Sequence, residues 1–506
     1  MLDQKTEQLS EPGTILAERF SDPEQNPTLK SSWPVRFQSF ETQKELQFSI
    51  RLPNIESDLK LQSATYFSQD VIHKDRTYTY DVWSGAIEGA KEKGTFKLIR
   101  SKEGILGGDL NFNGTYYEIQ SLNINEALLL EKQGVADQAY ECGVKNETPD
   151  FQETINSSSS SPYCDTPELR CLKEWVFLCV TTSELYDSIY NVYYSAHGIH
   201  WLAQWQLFLD LGKGGLNFTQ TLNNNNIPTN KITWYVSNLP VNAIPYTQSI
   251  GSDFNGFKSY VQANLSPIYN QDIAILQSHQ NYGPLFGIAS NIPVTDNGWN
   301  PNFGKYALVS YNSIGYPRYT FTHEMGHCLG ARHDNDNSPF VICGRGMIFN
   351  TSVNDGRTVM AELDSTSFNQ GKSRILYFSN PTQAYNGDTI GTVDRNNKII
   401  VENFLCGNLN TTTAARPAAN LSIINLQKNR NGVFPNPTSG IFLLPLQLGT
   451  QSFSIFDGQG RIIQNQKIAP DQVQQEVDIS KQPNGLYFIR VEEGKAVKTL
   501  KILKNE

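Results

Sequence analysis

The segment HEMGHCLGARHD, residues 323–334, contains three histidines at a spacing that suits one metal ion. On a helix, His323 and His327 lie four residues apart, so their side chains share one face and can reach the same ion. Gly330 tolerates the left-handed conformation that ends a helix, and the chain beyond it can bring in His333 as a third ligand. Three protein ligands leave the fourth tetrahedral position of Zn²⁺ to water, which predicts a catalytic zinc site.

Glu324 follows the first of these histidines and is the predicted general base for that water. Bound zinc lowers the pKa of the water to about 7 and polarises a carbonyl group, so hydroxide can attack a peptide bond at neutral pH. The sequence therefore predicts a hydrolase with one catalytic Zn²⁺ that acts on proteins or peptides, and it leaves open whether Ca²⁺ also binds. The alternative is a non-catalytic surface-binding or adhesion protein on the same scaffold. The retained Glu324 argues against it, because a protein that does not cut has no use for the base.

The segments around this motif predict an α/β unit over residues 164–408. EWVFLCVTT, KITWYVSNL, DIAILQS and YALVSYN are typical of buried strands, and SELYDSIYNVYYSAHGIHWLAQW and DFNGFKSYVQANL are typical of helices. This alternation indicates a central sheet covered by helices. Within the zinc helix, Phe321, Met325 and Leu329 form an apolar row about 200° away from the histidines. One face can thus pack on the sheet while the other presents imidazoles to a cleft.

Residues 1–150 are β-rich, since LQFSIRL, GTFKLIRS and GTYYEIQSL alternate apolar and polar residues between glycine-rich turns. Residues 151–163 contain a run of serines that is typical of a flexible, protease-accessible linker, with an ordinary surface loop as the alternative. Residues 409–432 predict a second linker. Residues 433–506 predict a separate small unit of hairpins, an Ig-like β-sandwich.

The composition is that of a multi-domain globular protein. The 506 residues suggest two to four domains, and 39% hydrophobic residues supply apolar material for their cores. The formal net charge of -9 argues against a nucleic-acid partner, and no apolar run approaches the roughly 18 residues of a membrane helix. We expect a monomer. The first residues, MLDQKTEQLSEPG, are polar and lack the apolar core of a secretory signal, so we expect that a signal has been removed ahead of them.

The pattern H-E-x-x-H-x-x-G-x-x-H is that of the metzincin metallopeptidases, and Asp334 after it makes the segment resemble the adamalysin (reprolysin) branch. The resemblance covers about residues 165–408, including YFSNPTQAYNGDTIGT, which is similar to bacterial members. It implies a twisted mixed sheet and a methionine in a turn beneath the metal. Met347, fourteen residues after His333, is the preferred candidate because Cys343 is close, and Met360 is the other.

Cys142 lies in AYECGVKNE, and the preceding run, WSGAIEGAKEKGTFKLIRSKEGILGGDLNFNGTYYEIQ, resembles adamalysin-type propeptides, whose Cys-Gly-Val acts as a cysteine switch. The resemblance implies that the propeptide is an intramolecular inhibitor and that Cys142 ligates the zinc of the precursor. A thiolate binds zinc at about 2.3 Å and would displace the water. The alternative is that Cys142 is free or in a disulfide.

The chain has seven cysteines, an odd number that fits disulfides plus one thiol with another role. The sequence does not give the pairing of the other six, which are Cys164, Cys171, Cys179, Cys328, Cys343 and Cys406. We expect Cys164, Cys171 and Cys179 to form disulfides because they lie at the start of the α/β unit.

FPNPTSG, DGQGR, NGLYFIRV and the final KTLKILK resemble the C-terminal sorting domain of the type IX secretion system of Bacteroidetes, over about residues 434–506. The resemblance implies contact with the secretion machinery and export through the outer membrane, after which the tail is usually removed. The alternative is a generic β-sandwich adhesion module.

Overall fold

The chain forms two compact units, Met1–Thr413 and Ala414–Glu506. The computed structural model describes residues 2–3, 9–22, 29–37, 47–50, 52, 59–73, 76–88, 93–113, 115–132, 174–240, 242–283, 285–290, 294–295, 298–299, 305–316, 318–336, 343–350, 355–362, 373–385, 387–406, 438, 440–445, 450–468, 474–493 and 496–505. Both predicted linkers, residues 151–163 and 409–432, lie outside the described residues, as does Cys142.

The N-terminal part of the first unit consists of antiparallel strands and one helix, α1, Glu11–Phe20, which lies between β1 and β2 in the chain. The strands are β1 Leu2–Asp3, β2 Leu29–Phe37, β3 Gln47–Ile50, β4 Leu59–His73, β5 Arg76–Glu88, β6 Lys93–Ser101, β7 Leu106–Phe112, β8 Thr115–Asn123 and β9 Glu126–Lys132. Buried and exposed positions alternate at both ends of β4, as expected for a strand with one face on a core. The prediction of a β-rich N-terminal block is met by these strands.

The second part of this unit contains the helices and the strands that they cover. The helices are α2 Ser183–His197, α3 His200–Asn224, α4 Ile250–Tyr260, which continues through a π-helical turn Val261–Leu265 into α5 Ser266–Tyr269, α6 Thr320–Cys328 and α7 Asn397–Cys406. The strands are β10 Trp175–Thr181, β11 Ile232–Asn238, β12 Ile273–Ser278, β13 Gly287–Ala289, β14 Val294–Thr295, β15 Gly298–Trp299, β16 Tyr306–Ser310, β17 Ile348–Asn350, β18 Asp355–Thr358, β19 Ser373–Ile375, β20 Ala384–Tyr385 and β21 Asp388–Thr389. The four predicted buried strands are β10, β11, β12 and β16.

One predicted helix is in fact two. The stretch SELYDSIYNVYYSAHGIHWLAQW was expected to be continuous, but α2 ends at His197 and α3 begins at His200. Gly198 lies between them with φ 61°, and its backbone N–H donates to the Tyr194 carbonyl. A glycine in this left-handed conformation ends a helix, so the break has a local cause in the sequence.

The two parts of the first unit share a single sheet. Its strand order is β1-β2-β9-β8-β7-β6-β5-β4-β11-β10-β12-β16-β13, with β3 also paired to β4. The junction is a parallel pairing of β4 with β11, in which Val71 lies opposite Trp234 and His73 opposite Val236. At the far end, β13 runs antiparallel to β16. The separate N-terminal domain expected over residues 1–150 is therefore merged, as far as it is described, with the α/β part.

The C-terminal unit contains two antiparallel sheets. One pairs β22 Ile441–Pro445 with β25 Gln474–Asp478, and the other has the order β24-β23-β26-β27, formed by β23 Thr450–Phe456, β24 Ile462–Lys467, β26 Gly485–Glu493 and β27 Ala496–Lys504. Buried residues of both sheets, among them Phe442, Val477 and Ile489, form one apolar cluster. The two predicted hairpins are β23–β24 and β26–β27. No helix among the described residues of either unit has the length and hydropathy to cross a membrane.

Candidate metal centre and active site

Helix α6 carries the predicted metal motif and is buried along its whole length. Phe321, Met325 and Leu329 are fully buried in the core of the first unit, as their spacing predicts. After the helix, Gly330 has φ 87°, and the N–H of Ala331 donates to the Gly326 carbonyl. This left-handed turn reverses the chain and brings His333 back to the histidines of the helix.

The three histidines meet at their Nε2 atoms. The Nε2 atom of His323 lies 3.0 Å from that of His333 and 3.1 Å from that of His327, and the His327–His333 distance is 2.8 Å. His323, His327 and His333, hereafter the histidine cluster, are the one group of three or more potential ligands that converge in this way within the described residues. All three ligands that the sequence singled out are thus brought together.

The Nδ1 atom of each ring is engaged elsewhere, which directs Nε2 to the centre of the cluster. Nδ1 of His323 donates to the Val359 carbonyl at 2.8 Å, and that of His327 donates to the Ala331 carbonyl at 2.9 Å. The Nδ1 atom of His333 lies 3.4 Å from an Oε2 of Glu362. Such partners hold metal-ligating imidazoles in one tautomer and orientation.

Burial keeps these imidazoles neutral. Burial lowers the pKa of His327 to about 4, and it lowers the pKa of His323 and of His333 well below the usual value. The positive charge of Arg374 acts in the same direction on His323. A histidine must be neutral to ligate a metal. Three nitrogen lone pairs about 3 Å apart also repel one another unless a cation lies between them. These residues therefore fit a zinc ion with three nitrogen ligands.

Glu324 is buried between α6 and the edge strand β13. A Cβ added to Gly287 of β13 would collide with Oε1 of Glu324 and would lie 2.7 Å from Cγ2 of Thr320. Gly287 therefore leaves the space that the Glu324 carboxylate occupies, next to the histidine cluster on the same helix. The sequence did not single out Gly287, because its role follows only from the approach of β13 to the helix.

The methionine beneath the helix is Met360, whereas Met347 was preferred from the sequence. Met360 is fully buried, and a Cβ on Gly326, between the two helix histidines, would collide with its Sδ. Met347 is half-buried and instead pairs through its backbone with Thr358, whose N–H donates to the Met347 carbonyl at 2.9 Å. The proximity of Cys343 was a misleading guide, because β17 and β18 lie between Met347 and the turn that reaches the helix.

Asp334 connects the loop that follows α6 to the turn that contains Met360. Its Oδ1 accepts a hydrogen bond from the Glu362 N–H at 2.9 Å, and the Glu362 side chain lies beside His333. Asp334 thus positions Glu362, whose carboxylate lies beside the His333 ring. Glu362 was missed by sequence reasoning, since an acidic residue in a loop carries no spacing signal.

The other histidines have partners away from this cluster. His73 donates to the Val236 carbonyl, and the remaining ring contacts are His197 with Gln206, His200 with Tyr190 and His279 with Thr182. Their lack of metal-ligand spacing in the sequence agrees with this placement.

Comparison with known proteins identifies the part of the chain that holds this cluster. Residues 173–379 match the family model described as metallopeptidase family M12. The chain carries an M12 metallopeptidase domain. Residues 432–505 match a second family model, described as the secretion system C-terminal sorting domain. This domain directs a protein through type IX secretion to the cell surface or the extracellular space. The resemblance of residues 165–408 to reprolysin-type metallopeptidases and that of residues 434–506 to the sorting domain are confirmed.

One curated relative of the metallopeptidase domain is the peptidyl-Asp metalloendopeptidase of Xanthomonas campestris pv. campestris, 36% identical over 145 residues. The match covers 26% of this chain and 29% of the relative, so the chain spans less than a third of that protein's length. Among solved structures, metalloproteinase-II from Bacteroides fragilis is 13% identical, with a TM-score of 0.36 over 59% of this chain and 84% of that one. A chaperone-substrate complex is 16% identical, with a TM-score of 0.32 over 46% and 34%.

The cysteines of the metallopeptidase domain differ in part from expectation. Cys343 and Cys406 are disulfide-bonded, while Cys179 and Cys328 are free and buried. The prediction of a disulfide at Cys179 is wrong: the residue lies inside β10, where the Gln277 amide contacts its Sγ, and burial raises the pKa of its thiol to about 12. Cys142, Cys164 and Cys171 lie outside the described residues.

Proposed function

We propose that the protein is a secreted zinc endopeptidase that hydrolyses peptide bonds in proteins, with Glu324 as the general base. The observation that carries this proposal is the convergence of three histidine Nε2 atoms, two of them from helix α6, which also carries the buried Glu324 carboxylate. The M12 match and the metalloendopeptidase relative support it.

Each residue of the site has its own role in the hydrolysis. His323, His327 and His333 would hold Zn²⁺, which would supply a Lewis acid for lowering the pKa of water and polarising the substrate carbonyl. A Glu324 carboxylate oxygen accepts the proton of the attacking water and then delivers it to the leaving amine nitrogen. Glu362 and the Val359 and Ala331 carbonyls hold the ligating rings in place.

The edge strand β13 offers a place for an extended peptide. It pairs with β16 on one side, and no strand of the described residues pairs with its other side. An unpaired edge can add a peptide as a further strand through main-chain hydrogen bonds. Because Gly287 of β13 abuts Glu324, such a peptide would pass close to the general base, which favours protein substrates.

We also propose that Cys142 ligates the zinc in the precursor and keeps it latent until the chain is cut. Support comes from the Cys-Gly-Val sequence ahead of a serine-rich segment. Setting aside the two free thiols leaves five cysteines, an odd number that disulfides within one chain cannot pair completely. A precursor with three nitrogens and one sulfur around zinc, measured by X-ray absorption, agrees with this proposal, whereas three nitrogens and one oxygen contradict it.

The sorting domain extends the proposal to the secretion machinery as a partner. Its two sheets share one apolar cluster, which supports a sandwich of the Ig-like kind. Deletion of residues 434–506 should abolish export in the native host and leave the processed metallopeptidase active. Normal secretion of the truncated protein would contradict this role.

The test of the enzymatic proposal is Glu324→Ala in processed protein, with casein as substrate. The variant should keep its zinc, because all three ligands remain, and lose activity by roughly 10² to 10⁴. A chelator should remove the activity of the unchanged protein. Wild-type turnover in a Glu324→Ala sample with confirmed zinc would contradict the role of the base. If the fully processed wild type does not hydrolyse casein, with or without chelator, the adhesion protein is favoured.

A further inference from the structure

Helix α3 of the metallopeptidase domain packs against other elements on two sides, and the N-terminal strands cover one of these sides. The Phe208 ring lies 4.7 Å from that of His73 and 4.4 Å from that of Tyr78. Trp205 makes edge contacts with Tyr78 and Tyr80. Tyr78 and Tyr80 belong to the same apolar core as Phe321 and Met325 of the zinc helix. Interfaces that resemble the interior of one domain are typical of obligate partners, while transient domain contacts are more polar.

Partly and fully buried charges lie at the same boundary, and one ion pair crosses it. Lys213 of α3 pairs with Glu118 of β8 at 2.6 Å, and Lys132 of β9 pairs with Glu118 at 3.3 Å. Lys97 of β6 pairs with Asp109 of β7 at 2.6 Å and also contacts the Asn217 side chain of α3. We call Lys97, Asp109, Glu118, Lys132 and Lys213 the carboxylate–lysine cluster. Opposite charges that meet across a boundary fix one register of the two surfaces.

The sheet itself continues across the boundary, at the end opposite the active site. Strand β4 pairs with β11, while β13, which abuts Glu324, is the last strand on the other side of β16. Loss of the N-terminal strands would leave β11 as an unpaired edge of apolar residues, which favours aggregation. Their retention, by contrast, leaves the outer edge of β13 unpaired within the described sheet.

We propose that residues 1–132 are a permanent partner of the metallopeptidase domain, which stays bound as a second chain after cleavage between residues 133 and 173. Activation then requires the cut segment that contains Cys142 to leave the zinc, and it does not require the N-terminal strands to depart. The retention of residues 1–132 goes beyond the proposed function and holds whether or not the protein hydrolyses peptides, whereas the release of Cys142 from the zinc rests on the proposed cysteine switch.

The test uses the full chain with residues 157–161 replaced by the recognition sequence of a specific protease, in a Glu324→Ala, Cys142→Ala background. Glu324→Ala prevents self-digestion. Cys142 is the only cysteine before the cut, so neither a disulfide nor a zinc–sulfur bond can join the two pieces. After complete cleavage, confirmed on a denaturing gel, both pieces should elute together in native size exclusion and unfold in one transition. Separate elution of a folded metallopeptidase piece would overturn the proposal.

A pair of variants tests whether the carboxylate–lysine cluster holds the pieces together. In the cut protein, Glu118→Gln should raise the concentration at which the pieces separate by at least about ten-fold, because it leaves Lys213 and Lys132 without their shared carboxylate. The matched control is Glu174→Gln, which removes a carboxylate that is 77% exposed and lies outside the boundary. Equal behaviour of the two variants would overturn the role of the cluster. The enzymatic proposal is tested separately, by the activity of Cys142→Ala with Glu324 intact.

Discussion

Two groups of partly or fully buried polar side chains lie in the first unit, and their compositions are opposite. The histidine cluster brings three like groups together, with Nε2 atoms 2.8 to 3.1 Å apart. The carboxylate–lysine cluster brings opposite charges together, with Glu118 between Lys213 and Lys132. Three imidazole nitrogens that converge need a bound cation between them, whereas the carboxylates and lysines neutralise one another's charge.

Electrostatics shows the same contrast. Burial disfavours the charged form in both groups. In the histidine cluster it lowers the pKa of His327 to about 4, and the charges of Arg332 and Arg374 act in the same direction. Burial raises the pKa of Glu118, but the charges of Lys213 and Lys132 outweigh it and bring the value to about 2. The histidine cluster therefore stays neutral and offers lone pairs, whereas Glu118 stays ionised and joins two parts of the chain through Lys213.

The largest effect should come from His333→Ala, which breaks the histidine cluster. Zinc content and activity should both fall close to background, because two ligands from one helix do not complete a catalytic site. Metal analysis and a casein assay on processed protein measure the two. His279→Ala is the control, since it removes an imidazole that contacts Thr182 away from the cluster. Full zinc stoichiometry in His333→Ala would place the third ligand elsewhere.

Breaking the carboxylate–lysine cluster should cost stability and spare the metal. Glu118→Gln leaves two partly buried lysines without their carboxylate, so we expect a loss of about 1–3 kcal/mol in the free energy of unfolding, measured with urea. Glu174→Gln, which weakens an exposed pair, should cost less than about 1 kcal/mol. Zinc content should be unchanged in both. A loss of zinc in Glu118→Gln would show that the two clusters are not independent.

The two clusters also differ in how much the sequence revealed. His323, Glu324, His327 and His333 were found because a helix fixes the relation between residues four apart, and Gly330 marks where the helix ends. The carboxylate–lysine cluster was not found, because it joins β6, β7, β8, β9 and α3, and nothing local in the sequence signals such long-range pairing. Alternation predicted the strands, but not that β4 would pair with β11.

The choice between Met347 and Met360 shows the same limit within the active site. Both methionines follow His333 at distances that a turn can span, and the hairpin β17–β18 decides which one reaches Gly326. Glu362 and Gly287 were likewise invisible, since each acts through a residue from another element.

A substitution in β13, next to the helix that carries Glu324, should have an intermediate effect on activity. Gly287→Ala places a methyl group against the Glu324 carboxylate and Thr320. Displacing the base by about 1 Å should lower kcat by roughly 10², with zinc retained. Gly251→Ala is the matched control, because a Cβ there meets no atom within 4 Å. An unchanged kcat in Gly287→Ala would mean that the edge strand accommodates the methyl group without moving the base.

The smallest effect concerns pH and again separates the two clusters. The folded-state pKa of Glu118 is lowered from 4.5 to about 2, so its contribution to stability is complete above about pH 4.5 and is lost as the pH falls toward about 2. The difference in unfolding free energy between the wild type and Glu118→Gln should therefore be constant above about pH 5 and shrink below it. Burial raises the pKa of Asp210 to about 6, which has the opposite effect on stability, but Asp210 is present in both proteins and largely cancels in the difference. Urea unfolding at several pH values between about 6 and 3 measures this. A difference that stays constant down to about pH 3 would show that the charge of Glu118 does not stabilise the boundary between the N-terminal strands and α3.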